Sequence, residues 1–416
     1  PFAQDGTTPL PTDVADVMRN DFNRSGKFRA LAKSEIVEYP AKGSDIKFAT
    51  WRLLKQDFIT VGRISDAGGG MVKIDYELWD VNKQQSLLAQ SFTAPVGDLR
   101  GVAHQIADQI YEKITGVRGA FWTRIAYITA VGLGNNTTYS LIVADSDGYN
   151  PQVVVRSHED LLSPSWSPDG QELAYVSFET GDSAIYIQNL ATGARRLVSG
   201  RKGINGAPAF SPDGKMLAVS LSFQGNPEIY LIDLATGKLT RLTNNYAIDT
   251  EPEWTPDGKN IVFTSDRAGK PQLYEIPVAG GTPQRITFQG AYNSNCSVSN
   301  DGKLVAMVQG KGNVYRIAVM NRALNGQEHF VSPGDFDEDP SFAPNGSMLL
   351  YAASQGTRGV LYAVSADGRV RQRLVLAQGS VRSPAWGPYR SHQQPTTRKA
   401  EPAANPGNPT STSDFH

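Results

Sequence analysis

One phrase recurs in register along more than half of this chain. It reads "LSPSWSPDGQELAYVSF" from 162, "GAPAFSPDGKMLAVSLS" from 206 and "TEPEWTPDGKNIVFTSD" from 250. The aromatic ahead of each turn, Trp166, Phe210 and Trp254, returns every 44 residues. The same step reaches Val298, Phe342 and Trp386, and backwards it reaches Trp122. A register held this long marks a structural repeat.

Each copy reads as strands joined by turns. In Pro168-Asp169-Gly170 and its equivalents, Pro fixes φ, Asp bonds local backbone and Gly accepts φ > 0. A short apolar run follows, such as "LAYVS" or "IVFTS". A polar turn, a second run such as "EIYLIDL" and a shorter third run complete the unit. With the run that carries the aromatic, this makes four strands per unit, the pattern of a β-propeller blade. Repeat heads at 122, 166, 210, 254, 298 and 342 predict six blades. A seventh head, "SPAWGPY" at 383–389, starts a blade that it never finishes. The first unit lacks the Pro-Asp-Gly turn, so the C-terminal strand is expected to complete the N-terminal blade and leave only protected edges.

Residues 1–118 do not repeat. Val14, Val17, Met18 and Phe22 fall at helical spacing behind Thr12, a candidate cap. Val102, Ile106, Ile110 and Ile114 form one face of a second helix, with Asp98 ahead of it and Gly116 at its end. Between them, Val72, Ile74, Tyr76 and Leu78 alternate with polar partners, as in a half-buried strand. From 391 the text turns polar and rich in Pro, Ser and Thr, with almost no core formers. The expected organisation is therefore a multi-domain α/β plus all-β chain. A small N-terminal α/β domain spans 1–118, a six-bladed β-propeller spans 119–390 and a disordered tail spans 391–416.

A net charge of −1 points to neither nucleic acid nor an anionic membrane surface. No run approaches the 18 apolar residues of a membrane span. The start, "PFAQDGTTPLP", lacks the basic-then-apolar order of a secretory leader, which leaves a cytosolic protein or a processed form. The single cysteine, Cys296, excludes an intrachain disulfide and a Cys-rich metal site. It stands where the other repeats have Pro164, Pro208, Pro252, Pro340 and Pro384, a strand-entry position suited to packing.

Candidate chemistry is sparse. No Gly-x-Ser-x-Gly elbow occurs; "GDSAI" at 181–185 falls in a turn. The five histidines form no zinc-binding spacing. "ADSDGYN" at 144–150 lacks the final glutamate of a calcium loop and reads as a hairpin turn. No enzyme is expected; the alternative is a six-bladed propeller hydrolase or lactonase with a metal in its channel.

The repeats disagree most just before the slot proline: Leu162-Ser163, Gly206-Ala207, Thr250-Glu251, Ser294-Asn295, Glu338-Asp339 and Arg382-Ser383. If the aromatic-bearing run is innermost, these residues ring one mouth of the channel. Glu251, Glu338 and Asp339 face only Arg382, with Asp249, Asp335 and Asp337 just upstream. An acidic rim suits a basic peptide or protein, or a calcium ion.

The phrases at 205–215 and 249–274, "GGTPQRIT" at 280–287, "SPAWGPY" and the junction "EKITGVRGAFWTRIAYI" at 112–128 resemble the TolB family. The resemblance runs over roughly 1–390, and the junction with the N-terminal domain is its specific part. It implies a periplasmic, monomeric, non-enzymatic component of the Tol–Pal envelope system of Gram-negative bacteria, supporting outer-membrane integrity and cell division. In that family the channel mouth binds the lipoprotein Pal, some colicins mimic Pal there, and calcium binds at the channel. The positions implied for Pal here are Asn205, Ala207, Thr250, Glu251, Ser294, Asn295, Asp337, Glu338, Asp339 and Arg382. No other cofactor is implied. Family members bind TolA through an extended N-terminal segment, and this chain is expected to begin after it. The tail is outside the family pattern.

Overall fold

The computed structural model describes residues 1–376 and 379–403. The chain forms two compact units that meet in sequence at Phe121 and Trp122.

The first unit is a mixed sheet with helices. Strands Phe58–Gly68, Met71–Asp80 and Gln85–Pro95 pair antiparallel in chain order. Val72, Ile74, Tyr76 and Leu78 all point inward and are buried. They meet Val102, Ile106 and Ile110 of the helix Leu99–Thr115. Gly116 ends that helix in the left-handed region, φ 76°, where its N–H bonds to the Glu112 carbonyl. The helix Val14–Arg24 starts one residue later than expected, and its cap is Asp13 rather than Thr12: Asp13 Oδ1 accepts the Asp16 N–H at 3.2 Å. Asp98 makes no side-chain cap bond. On the other face of the sheet, Ile59, Val61 and Trp79 pack with Ile46, Phe48 and Trp51.

The expected disordered tail differs from the structure over 391–403. Thr396 and Thr397 add a short strand beside Gln85–Pro95. The rest of the tail, 404–416, lies outside the described residues.

The second unit contains, among the described residues, six four-stranded antiparallel sheets. Their first strands are Leu161–Trp166, Asn205–Phe210, Asp249–Trp254, Tyr292–Val298, Glu338–Phe342 and Ser380–Trp386. The last of these pairs with Arg124–Val131, so the C-terminal strand does join the N-terminal sheet. Each first strand touches the next in the series, and Ser380–Trp386 touches Leu161–Trp166. One contact repeats along this series. The Trp254 indole donates to the Ala209 carbonyl at 3.0 Å, and the Trp166 indole donates to the Ala385 carbonyl at 3.0 Å. The tryptophan slots at 166 and 254 thus bond their strands to the preceding first strand, whereas the Trp386 indole donates to Thr123 Oγ1 at 2.8 Å.

The three Pro-Asp-Gly turns are fixed in the same way. Ser167, Ser211 and Thr255 donate their hydroxyls to Asp169, Asp213 and Asp257, each at 2.6 Å. Gly170 sits at φ 70°, as the turn requires.

Candidate binding channel

The first strands surround a channel of about 620 Å³. Its wall is set by a defect shared by all six. The strand register slips once in each, between Leu162 and Ser165, Gly206 and Ala209, Thr250 and Glu253, Ser294 and Ser297, Glu338 and Ser341, and Arg382 and Ala385. At each bulge the residue before the slot proline (or Cys296) is left-handed: Ser163, Ala207, Glu251, Asn295, Asp339 and Ser383, with φ between 49° and 54°. The slot proline has no N–H, so it interrupts the ladder where the bulge needs no bond. A left-handed residue with a Cβ costs roughly 1 kcal/mol or more. Six such residues, held at equivalent places and lining one cavity, are the main local strain in the unit.

Two rows of side chains follow from this geometry. The bulge row is Ser163, Ala207, Glu251, Asn295, Asp339 and Ser383. The second row, two residues on, is Ser165, Ala209, Glu253, Ser297, Ser341 and Ala385. The polar members of the bulge row with the longest side chains belong to three consecutive sheets, so one side of the channel is acidic. None of the lining residues is Lys, Arg or His.

The carboxylates are half-buried yet walled by protein, which disfavours their charged forms. Burial, reinforced by the Asp339 carboxylate, pushes Glu251 up to about 7. Glu253 is pushed up to about 8 by burial and then by Glu251. Burial also raises Asp339, against a lowering hydrogen bond from the Asn295 amide. Burial pushes the Cys296 thiol well up, which fits a packing role. The oxygen donors of Glu251, Glu253, Asp339 and Asn295 are of the kind that suits a hard cation such as calcium.

The ten residues expected at the mouth separate into three groups. Ala207, Glu251, Asn295 and Asp339 line the channel. Thr250, Ser294, Glu338 and Arg382, one residue earlier, do not. Arg382 is ion-paired with Asp160, and Glu338 is exposed. The protein that flanks it on one side, and then the Asp339 charge, push Glu338 up to about 7 despite its exposed position. Asn205 and Asp337 are buried and serve the scaffold. Asn205 accepts from Ser199 Oγ at 2.6 Å and donates to the carbonyls of Arg201 at 2.6 Å and Ser183 at 3.0 Å. Asp337 accepts from Ser332 Oγ at 2.5 Å and the Gly334 N–H at 2.8 Å. Asp249 and Asn293 are equivalent and fully buried: Asn293 donates to the Gln289 carbonyl in the outer loop of the preceding sheet, whereas Asp249 pairs with Arg267 of its own sheet.

Glu253 escaped the sequence reading, although a signal was there. Across the slots from 166 to 386 the preceding residue is Ser or Ala except before Trp254, where it is Glu. Small residues at that place are what a narrow channel requires.

The TolB amino-terminal domain family matches residues 1–87, and the TolB beta propeller domain family matches residues 111–390. The chain belongs to the TolB family. A Tol-Pal system protein TolB from Xanthomonas campestris pv. campestris (strain B100) is 63% identical over 392 residues, which cover 94% of this chain and 89% of that protein. The crystal structure of TolB from Acinetobacter baumannii superposes with a TM-score of 0.85 at 40% identity, covering 94% of this chain and 97% of that one. A putative TolB from Agrobacterium tumefaciens shares the fold, with a TM-score of 0.50 at 20% identity, over 61% of this chain and 88% of that one. No helix among the described residues is long and apolar enough to cross a membrane.

Proposed function

We propose that this TolB chain is a non-enzymatic periplasmic adaptor of the Tol–Pal system that binds the lipoprotein Pal at the channel, and that colicins use the same site. In this reading it supports outer-membrane integrity and cell division. The observation that carries the proposal is the acidic side of the channel, built from Glu251, Glu253, Asn295 and Asp339 on neighbouring first strands. Such a wall offers acceptors and no cation. It therefore suits a partner that inserts N–H donors or a basic side chain, and it disfavours acidic segments by repulsion.

Calcium would act there as a counter-ion for the carboxylates, held by the same oxygens. TolA is proposed as a second partner that does not use the channel. Family membership, with relatives named as Tol-Pal system proteins, supports the assignment. The test is Pal affinity measured by calorimetry on channel-wall variants, with Glu251→Ala as the first.

A further inference from the structure

The sheet of the first unit runs Ala3–Gln4, Phe58–Gly68, Met71–Asp80, Gln85–Pro95 and Thr396–Thr397. Without its last member, the Gln85–Pro95 strand would be an edge. A bare edge strand presents unpaired N–H and C=O groups that template the addition of another strand.

Here the edge is taken by the chain's own C-terminal segment. Thr396 and Thr397 pair antiparallel with Ser91 and Gln90. The Arg398 N–H donates to the Ala89 carbonyl at 3.0 Å, and Gln393 Nε2 donates to the Thr93 carbonyl at 2.6 Å. The ladder is short, and Gln393, Gln394, Thr396, Thr397 and Lys399 are all exposed. Backbone pairing alone would hold such a segment weakly.

A charge supplies the anchor. Glu77 is 0% exposed, on the middle strand of the sheet. One of its oxygens accepts from the Trp79 indole at 2.8 Å and the Gly43 N–H at 3.1 Å. The other meets Arg398 Nη2 at 3.1 Å. A buried carboxylate that loses its cation is strongly destabilising, so whatever covers this edge must supply one. Beyond the arginine, Ala400 and Ala403 pack on the cluster of Phe48, Trp51 and Trp79. The passage there is tight: a Cβ on Gly43 would stand 2.6 Å from the Glu401 carbonyl oxygen. The family match ends at residue 390, so these contacts come from a segment outside the shared domains.

We propose that the Gln85–Pro95 edge is a strand-addition site for an extended peptide, with Glu77 as the receptor of its cationic side chain, and that residues 391–403 occupy it as an intramolecular ligand. Main-chain bonds along 89–93 supply affinity, and the Glu77 site with the apolar cluster beyond it supplies specificity. The partner this site fits carries an arginine directly after the paired residues, with small apolar residues two and five places further on. A tethered segment acts at an effective concentration of roughly millimolar, so it masks the edge from any partner of ordinary affinity until it is displaced.

The test uses the full chain and a labelled synthetic peptide of residues 391–403. In an Arg398→Glu chain the segment should be expelled, because its anchor is turned against Glu77 and against Asp75, whose carboxylate lies 3.8 Å from Arg398 Nε. That variant should bind the peptide, while the unaltered chain binds it at least roughly tenfold more weakly. A peptide carrying Glu in place of the arginine should bind neither. Amide exchange of residues 89–93 should rise in the variant and fall again when peptide is added. Should Arg398→Glu fail to fold, Arg398→Ala and Glu77→Gln serve instead. Glu77→Gln should abolish the preference for the arginine peptide over its glutamate form. Equal peptide binding by the unaltered and expelled chains would overturn the proposal. So would an opened edge, seen by exchange, that binds no peptide, or a Glu77→Gln chain that keeps the full arginine preference.

Discussion

The side-chain amide of Asn295 donates to the carboxylate of Asp339, 44 residues further on and at the same position of the next repeat. Both residues are left-handed at their bulges. Through this bond two first strands share one polar wall, and Glu251 completes it: the Asn295 N–H bonds to Glu251, and the Asp339 charge raises its pKa. The channel's chemistry is thus coupled across three sheets.

That coupling predicts the response of Glu251 to Asp339→Asn. Removing the negative charge should bring the Glu251 midpoint down from about 7, yet leave it above the ordinary 4.5, because burial is the larger cause. Carboxyl-carbon NMR titration reads the midpoint directly. An unmoved midpoint would show that the two carboxylates do not sense each other.

Stability should fall as the channel ionises. The folded-state values of about 7 for Glu251 and about 8 for Glu253 lie above the ordinary 4.5. Between 4.5 and about 8 the folded chain therefore binds more protons than the unfolded one, and its stability declines as pH rises. Glu253→Gln removes one ionising group. It should flatten the decline of Tm across this range and raise Tm near pH 8 by about 2–4 °C for each kcal/mol recovered. Thermal unfolding over a pH series checks it, and equal slopes for variant and parent would contradict it.

Asn205 belongs to the scaffold, so Asn205→Ala should cost about 1–3 kcal/mol through the partners it leaves unsatisfied, among them Ser199 Oγ and the Arg201 carbonyl. Urea unfolding should show a lower midpoint for the propeller unit. A variant of unchanged stability would return Asn205 to the list of candidates for direct binding.

The bulge strain can be tested at the one site with no polar function. Ala207 sits at φ 49°. Ala207→Gly should be neutral or stabilising by up to about 1 kcal/mol, since glycine tolerates this conformation while giving up some unfolded-state restriction. The same change at Ala218, buried in an ordinary strand, should cost about 1 kcal/mol or more. Matching costs at the two sites would argue against a strained ring.

Much of the scaffold was legible because it repeats. A turn that favours Pro, Asp and Gly, and a bulky slot residue ahead of it, write themselves into most copies. The site was half legible. Variation between repeats marked Glu251, Asn295 and Asp339, but it could not separate them from Thr250, Ser294 and Glu338. In a regular strand neighbouring residues take opposite faces, and which one of each pair turns inward depends on the bulge; the slot proline marks it only once the strand is seen to run through that proline rather than start at it. Asn205 and Asp337 misled for another reason: a buried polar clip and a binding residue use the same amides and carboxylates. The composition of the C-terminal segment predicts disorder because its hold comes from a short ladder, scattered polar contacts and two alanines rather than from a run of large core formers.

Calorimetry of Pal against the double variant Glu251→Gln, Asp339→Asn, with Glu338→Gln as the control, tests the central claim most directly. If the channel wall is the binding surface, the double variant should weaken Pal roughly tenfold or more, about 1.4 kcal/mol, while the exposed Glu338→Gln changes it little. Unchanged affinity in the double variant, or an equal loss in the control, would contradict it.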